Sequence, residues 1–119
     1  MNPYEASQKT ESLCRLAPVI PVLVVDDADI AQPLAEALIK GGLKVLEVTL
    51  RTPSALRVIS EMAKVQGGVV GAGTITKASD VTDAINAGAQ FGVSPGSTDE
   101  ILEACEQKIL PILPGAATS

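Results

Sequence analysis

The segment Val45-Leu46-Glu47-Val48-Thr49-Leu50-Arg51 sets an acid, a hydroxyl and a guanidinium at alternate positions of an otherwise apolar run. Side chains of an extended strand point to opposite faces in turn, so Leu46, Val48 and Leu50 share one face while Glu47, Thr49 and Arg51 share the other. Four residues of strand span about 13 Å, too far for Glu47 and Arg51 to neutralise each other directly. An unpaired buried charge is costly, so each needs another partner. The planar fork of Arg51 matches a carboxylate, which an anionic substrate would supply. Glu47 suits a lysine or a reaction centre that gains and loses a proton. A structural ion-pair network would also account for the pattern. Thr74, closing Val70-Gly71-Ala72-Gly73-Thr74, is a second hydroxyl at a segment end, where a cap or a loop residue is the plainer reading. Gly71 and Gly73 permit close approach of another group, or tight packing of helix on sheet.

Composition narrows the chemistry further. The 119 residues include no His, which excludes Ser-His-Asp and Cys-His nucleophiles, HExxH zinc sites and His-ligated haem. Proton transfer must therefore use a carboxylate, Lys, Cys, Tyr, a hydroxyl or water. A net charge of −5, with Tyr4 and Phe91 the only aromatic residues, argues against nucleic acid as a partner. The longest apolar run, Leu16 to Val25, is broken by Pro18 and Pro21 and falls short of the roughly 20 residues that cross a bilayer. The start Met1-Asn2-Pro3-Tyr4-Glu5 lacks the basic and apolar regions of a secretory signal, so the cytoplasm is the expected location. Cys14 and Cys105 show neither CxxC nor metal-ligand spacing and are expected to be reduced packing residues. No metal site is expected.

These residues must be held by regular elements, and the chain punctuates them clearly. Apolar segments rich in β-branched residues occupy Val19 to Val25, Val45 to Leu50, Val69 to Ile75 and Ile109 to Leu113, with a weaker one at Phe91 to Ser94. Helical periodicity fills the intervals. The first helix is expected from Ala28 to Lys40, capped by Asp26 or Asp27, striped by Ile30, Leu34 and Leu38, and stopped by Gly41-Gly42. Pro33 requires that its true start lie a few residues later. Thr52 and Pro53 open a second, with Leu56, Ile59 and Met62-Ala63 inward. A third follows Thr76 and ends at Gly88, burying Val81, Ala84 and Ile85. Ser97-Thr98-Asp99-Glu100, a possible capping box, opens a fourth that buries Ile101, Leu102 and Cys105. An amphipathic segment, Glu5 to Leu16, precedes the first strand.

Strands alternating with helices imply a parallel α/β sheet, either doubly wound or part of a (β/α)8 TIM barrel. The open sheet would carry a phosphate loop after its first strand, but Asp26-Asp27 stand there, and Gly71-Ala72-Gly73 reaches Thr76 where GxGxxG needs glycine. The barrel is favoured. A closed barrel needs eight strands and typically about 250 residues. Residues 1–119 hold five strands and four interstrand helices, with Thr118 where a further helix would be capped. They are therefore expected to form the amino-terminal part of one barrel domain.

Pro21-Val22-Leu23-Val24-Val25, Gly41 through Thr52, Val70 through Thr74, Ser94-Pro95-Gly96 and Leu113-Pro114-Gly115 occur in the order and spacing of a known family. Together they resemble the amino-terminal part of the 2-keto-3-deoxy-6-phosphogluconate aldolases, also known for 4-hydroxy-2-oxoglutarate cleavage. The resemblance covers nearly the whole chain after about residue 10, and Leu-Glu-Val-Thr-Leu-Arg followed by Gly-Ala-Gly-Thr is its most specific piece. It implies a cytoplasmic carbon-carbon lyase of the Entner-Doudoroff pathway, a homotrimer using a lysine Schiff base and no cofactor. It also implies that Glu47 is the general acid/base and that Arg51 and Thr74 bind the keto-acid end of the substrate. In the family the reactive lysine stands on a sixth strand. None of Lys9, Lys40, Lys44, Lys64, Lys77 and Lys108 falls at such a place. The chain alone is therefore expected to be inactive, and two other readings stay open: a non-catalytic half-barrel assembly module, and a pyruvate-binding relic.

Overall fold

The helix Pro3–Leu16 (α1) begins with a capping box, in which Asn2 accepts from the Glu5 amide and the Glu5 carboxylate accepts from the Asn2 amide. The computed structural model describes residues 1–118. Beyond α1 lie β1 (Val22–Leu23), a 3-10 turn (Ala28–Ile30), α2 (Ala31–Lys40), β2 (Val45–Thr49) and α3 (Ala55–Ala63). The chain continues through β3 (Val69–Gly73), α4 (Ala78–Ala87), β4 (Gly92–Ser94), α5 (Asp99–Lys108) and β5 (Ile112–Pro114). All five strands are parallel and lie side by side in chain order, the connectivity of a barrel wall and not of a doubly wound sheet.

The two faces of this wall differ. Leu46, Val48, Val70 and Ala72 point outward into a core made with Val58, Ile59, Met62, Val81, Ala84 and Ile101 of the helices. Helices α2 to α5 pack in sequence along that face, each against the next. The inner face carries Val45, Val69, Phe91 and Val93, joined by Leu13 and Ala17 from the α1 region. Alternation along each strand sorts the residues between the two faces, which is why β2 can be oily outward and polar inward.

Several expected boundaries move. The segment from Ala28 divides into a 3-10 turn, capped by Asp27 through the Asp29 amide (2.9 Å), and α2, in which Pro33 sits in the first turn. Ala31 and Ala35, rather than the half-exposed Ile30, form its inward contact, because small residues allow α2 close to the sheet. Helix α3 starts after Ser54, two residues later than expected, so Pro53 precedes it and Leu56 rotates outward while Ala55 and Val58 turn in. The fourth interstrand helix has its Thr98 cap, accepting from the Ile101 amide (3.3 Å), without the reciprocal half of a box, since Ile101 holds the position a Glu would need. Gly42 and Gly88 take the left-handed stops, at φ 101° and 106°. Cys105 is buried as expected, but Cys14 is exposed on α1, which has no buried residue. Ser119 lies outside the described residues.

Candidate active site

Strand β2 carries the acid to the interior. Glu47 is 8% exposed and stands in register between Val22 of β1 and Gly71 of β3. Burial pushes its carboxyl above the ordinary carboxylate range, and the charge of Arg51 opposes that shift less strongly. Beneath it lies Phe91, fully buried, whose ring occupies the space over Gly71: a Cβ there would stand 2.5 Å from three ring carbons. The carboxylate itself takes the space over Gly73, where a Cβ would collide with Oε1. Both glycines thus serve the inner face, and neither is explained by helix packing. Phe91 escaped the sequence reading because its partner surface belongs to another strand.

Arg51 departs from its expected placement. Strand β2 ends at Thr49, and Leu50 and Arg51 enter the turn, where Arg51 is exposed instead of standing within the strand. The reason is visible in the hydrogen bonds of this loop. Thr49 Oγ1 donates to Leu23 O (3.4 Å), Thr52 Oγ1 to Val25 O (3.2 Å) and Ser54 Oγ to Asp26 O (2.5 Å). These hydroxyls fasten the turn to the end of β1, so Thr52 is a loop staple and not a helix cap. Arg51 makes no hydrogen bond or ion pair among the described residues, and its fork is free.

Thr74 shares that rim. The Leu50 amide donates to Gly73 O (2.9 Å), which brings the residues following each, Arg51 and Thr74, to neighbouring points beyond the carboxyl ends of β2 and β3. Thr74 is half-buried at φ 63°, a left-handed conformation that a β-branched residue adopts only at a cost. It does not cap α4, whose cap position is Lys77. Ser94, at the end of β4, is 2% exposed, and its hydroxyl has no partner among the described residues. Its segment, Ser94-Pro95-Gly96, carries part of the family resemblance, but no pattern of spacing singled out its hydroxyl.

All six lysines are exposed, Lys77 alone among them following a strand end. Among the described residues no group of three or more Cys, Asp or Glu could hold a metal ion, and no helix is long and apolar enough to cross a membrane.

Parallel strands in sequential order, with an acid, a free guanidinium and a strained threonine gathered toward their carboxyl ends, have the arrangement of TIM-barrel enzymes. The model of the KDPG and KHG aldolase family matches residues 10–119, and the chain belongs to that family. It is 50% identical to the 2-dehydro-3-deoxy-phosphogluconate aldolase of Zymomonas mobilis over 109 residues, which make up 92% of this chain and 52% of that protein. With the KHG/KDPG aldolase of Escherichia coli K12 it shares 44% identity over 109 residues, 91% of this chain and 51% of that one. Among solved structures, the Zymomonas mobilis ZM4 2-keto-3-deoxy-6-phosphogluconate aldolase with 3-phosphoglycerate matches at a TM-score of 0.90 and 49% identity, over 94% of this chain and 54% of that chain. The KDPG aldolase from Legionella pneumophila, with pyruvate captured as a covalent carbinolamine, matches at 0.84 and 42% identity, over 90% and 52% of the respective chains. The chain spans about half the length of the curated relatives it matches.

Proposed function

We propose that residues 1–119 supply the proton-transfer and keto-acid-binding half of a class I aldolase, within a single barrel domain whose Schiff-base lysine lies on a strand outside this sequence. The substrate is 2-keto-3-deoxy-6-phosphogluconate, cleaved to pyruvate and glyceraldehyde 3-phosphate, and also 4-hydroxy-2-oxoglutarate, cleaved to pyruvate and glyoxylate. Both substrates share the pyruvate end, which is the end these residues would hold. The working protein is a cytoplasmic trimer of the Entner-Doudoroff pathway, without metal or cofactor.

The observation that carries this reading is the buried Glu47 carboxyl, whose proton affinity burial raises, near an Arg51 that has no ion-pair partner among the described residues. The fork of Arg51 receives the keto-acid carboxylate, and the Thr74 hydroxyl donates to the same end. A lysine amine adds to the keto carbon, and loss of water leaves an iminium. Glu47 then takes the proton of the C4 hydroxyl as the C3–C4 bond breaks. The bond's electron pair moves into the iminium to give an enamine, and the aldehyde departs. Returned to C3, that proton regenerates the pyruvyl iminium, which water hydrolyses. One carboxylate can serve each of these transfers, so the absence of histidine from this half is no obstacle.

Borohydride trapping with pyruvate tests the assignment. The 119-residue chain should keep its mass, while the full-length protein should gain one reduced pyruvyl adduct; an adduct on this chain would refute the placement of the lysine. In the full-length enzyme, Glu47→Gln should lower kcat by about 10²–10⁴-fold. Arg51→Gln should raise KM by about 10- to 100-fold, the worth of a charge-assisted hydrogen bond.

A second reading, the assembly module, draws on the exposure of Val22 (62%) on edge strand β1 and of Val24 (57%) just beyond its end. Size-exclusion mass together with pyruvate titration tests it: the module must run as an oligomer or recruit a complementary fragment, and it must show no pyruvate binding. Binding of pyruvate without turnover would point to the relic.

A further inference from the structure

Glu47 faces Gly71 across the β2–β3 register, yet its carboxylate does not lie there. The Phe91 ring already fills that space. The next inward position of β3 toward the rim is Gly73, the register partner of Thr49. A Cβ on Gly73 would strike Glu47 Oε1 and stand 2.9 Å from its Cδ and 3.0 Å from its Cγ. The acid therefore leans along its strand toward the carboxyl rim and crosses onto β3, where only a glycine leaves room. No ion pair joins it to Arg51 among the described residues.

We propose that Gly73 is a positioning residue for the acid: its bare Cα seats the Glu47 carboxylate over β3, out of contact with Arg51, so that the guanidinium stays free for a substrate carboxylate. This rests on the roles given above to Glu47 and Arg51. The neighbours that enclose Glu47 are uncharged, namely Val22 on β1, Gly71 and Gly73 on β3, and Phe91 before β4. Arg51 is the charge that acts on it. A methyl group at Gly73 would evict the carboxylate from its seat. With the Phe91 ring below, the displaced carboxylate would move toward the rim, where Arg51 has left the strand and so is not held a full strand length away, and where its charge already acts on Glu47. The pair formed there would occupy the guanidinium and hold the acid in its ionised form.

NMR titration of the Glu47 side-chain carbonyl carbon tests this without any catalytic readout, so a failed aldolase assay would leave its outcome intact. Gly73→Ala should lower the Glu47 midpoint by about one pH unit. Adding Arg51→Gln to that variant should recover most of the shift, whereas Arg51→Gln alone in the parent chain should move the midpoint much less. An unchanged midpoint in Gly73→Ala, or an Arg51→Gln effect of equal size in both backgrounds, would overturn the proposal. A packing role alone would alter stability and leave the midpoint in place. Should Gly73→Ala fail to fold, the parent chain decides: an NOE between the Glu47 γ-methylene and the Gly73 α-protons is expected, and its absence overturns the assignment.

Discussion

The face of the Phe91 ring lies over the Cα of Gly71, so that a residue just before β4 fills the inward position of β3. The ring is fully buried and forms the apolar floor beneath Glu47. Gly71→Ala should therefore overpack the inner face and cost about 1–3 kcal/mol. Phe91→Ala should cost about 3–5 kcal/mol through the cavity it leaves. Urea denaturation of both variants checks the order. A Gly71→Ala protein as stable as the parent would mean the ring has room to move.

Stability should depend on pH through Glu47 in a definite direction. Burial raises the proton affinity of this carboxyl, so the folded chain holds a proton that the unfolded chain has already released in the interval between their two midpoints. Stability must then fall as pH rises through that interval and level off beyond it. Glu47→Gln removes the titration, and its advantage over the parent should grow across the same interval. Denaturation midpoints measured at a series of pH values would show this; a difference that narrows with rising pH would contradict the burial argument.

Thr74 offers a test of strain at the rim. Its φ of 63° costs a β-branched residue about 1–2 kcal/mol, which glycine would not incur. Glycine adds about 0.4–1 kcal/mol of unfolded-state entropy, so relief should win narrowly. Thr74→Gly should match or exceed the parent in thermal stability, and Thr74→Ala should not exceed it. In the full-length enzyme both should weaken keto-acid binding, since both delete the hydroxyl.

The two cysteines should separate cleanly in alkylation. Cys14 is exposed, whereas Cys105 is buried and its thiol is pushed up to about 11 by desolvation. Intact-mass analysis after iodoacetamide treatment of the folded chain should find one adduct, and treatment in denaturant two. Two adducts under native conditions would mean that α5 opens readily from the outer core.

The amino-acid sequence by itself determined the parallel βα repeat, the inward face of Glu47 and the glycine stops at Gly42 and Gly88. Each follows from alternation, period or a backbone angle over a few adjacent residues, which are local properties. Helix starts were less legible, since Thr52 and Pro53 have the chemistry of a helix opening while the Thr52 hydroxyl is drawn to Val25 O on a neighbouring segment. Only the tertiary structure decided that Arg51 leaves the strand, that Phe91 floors the acid, and that Gly73 seats its carboxylate. Those outcomes depend on which side chain from one strand meets bare backbone on the next, a matter of register and volume between segments far apart in the chain.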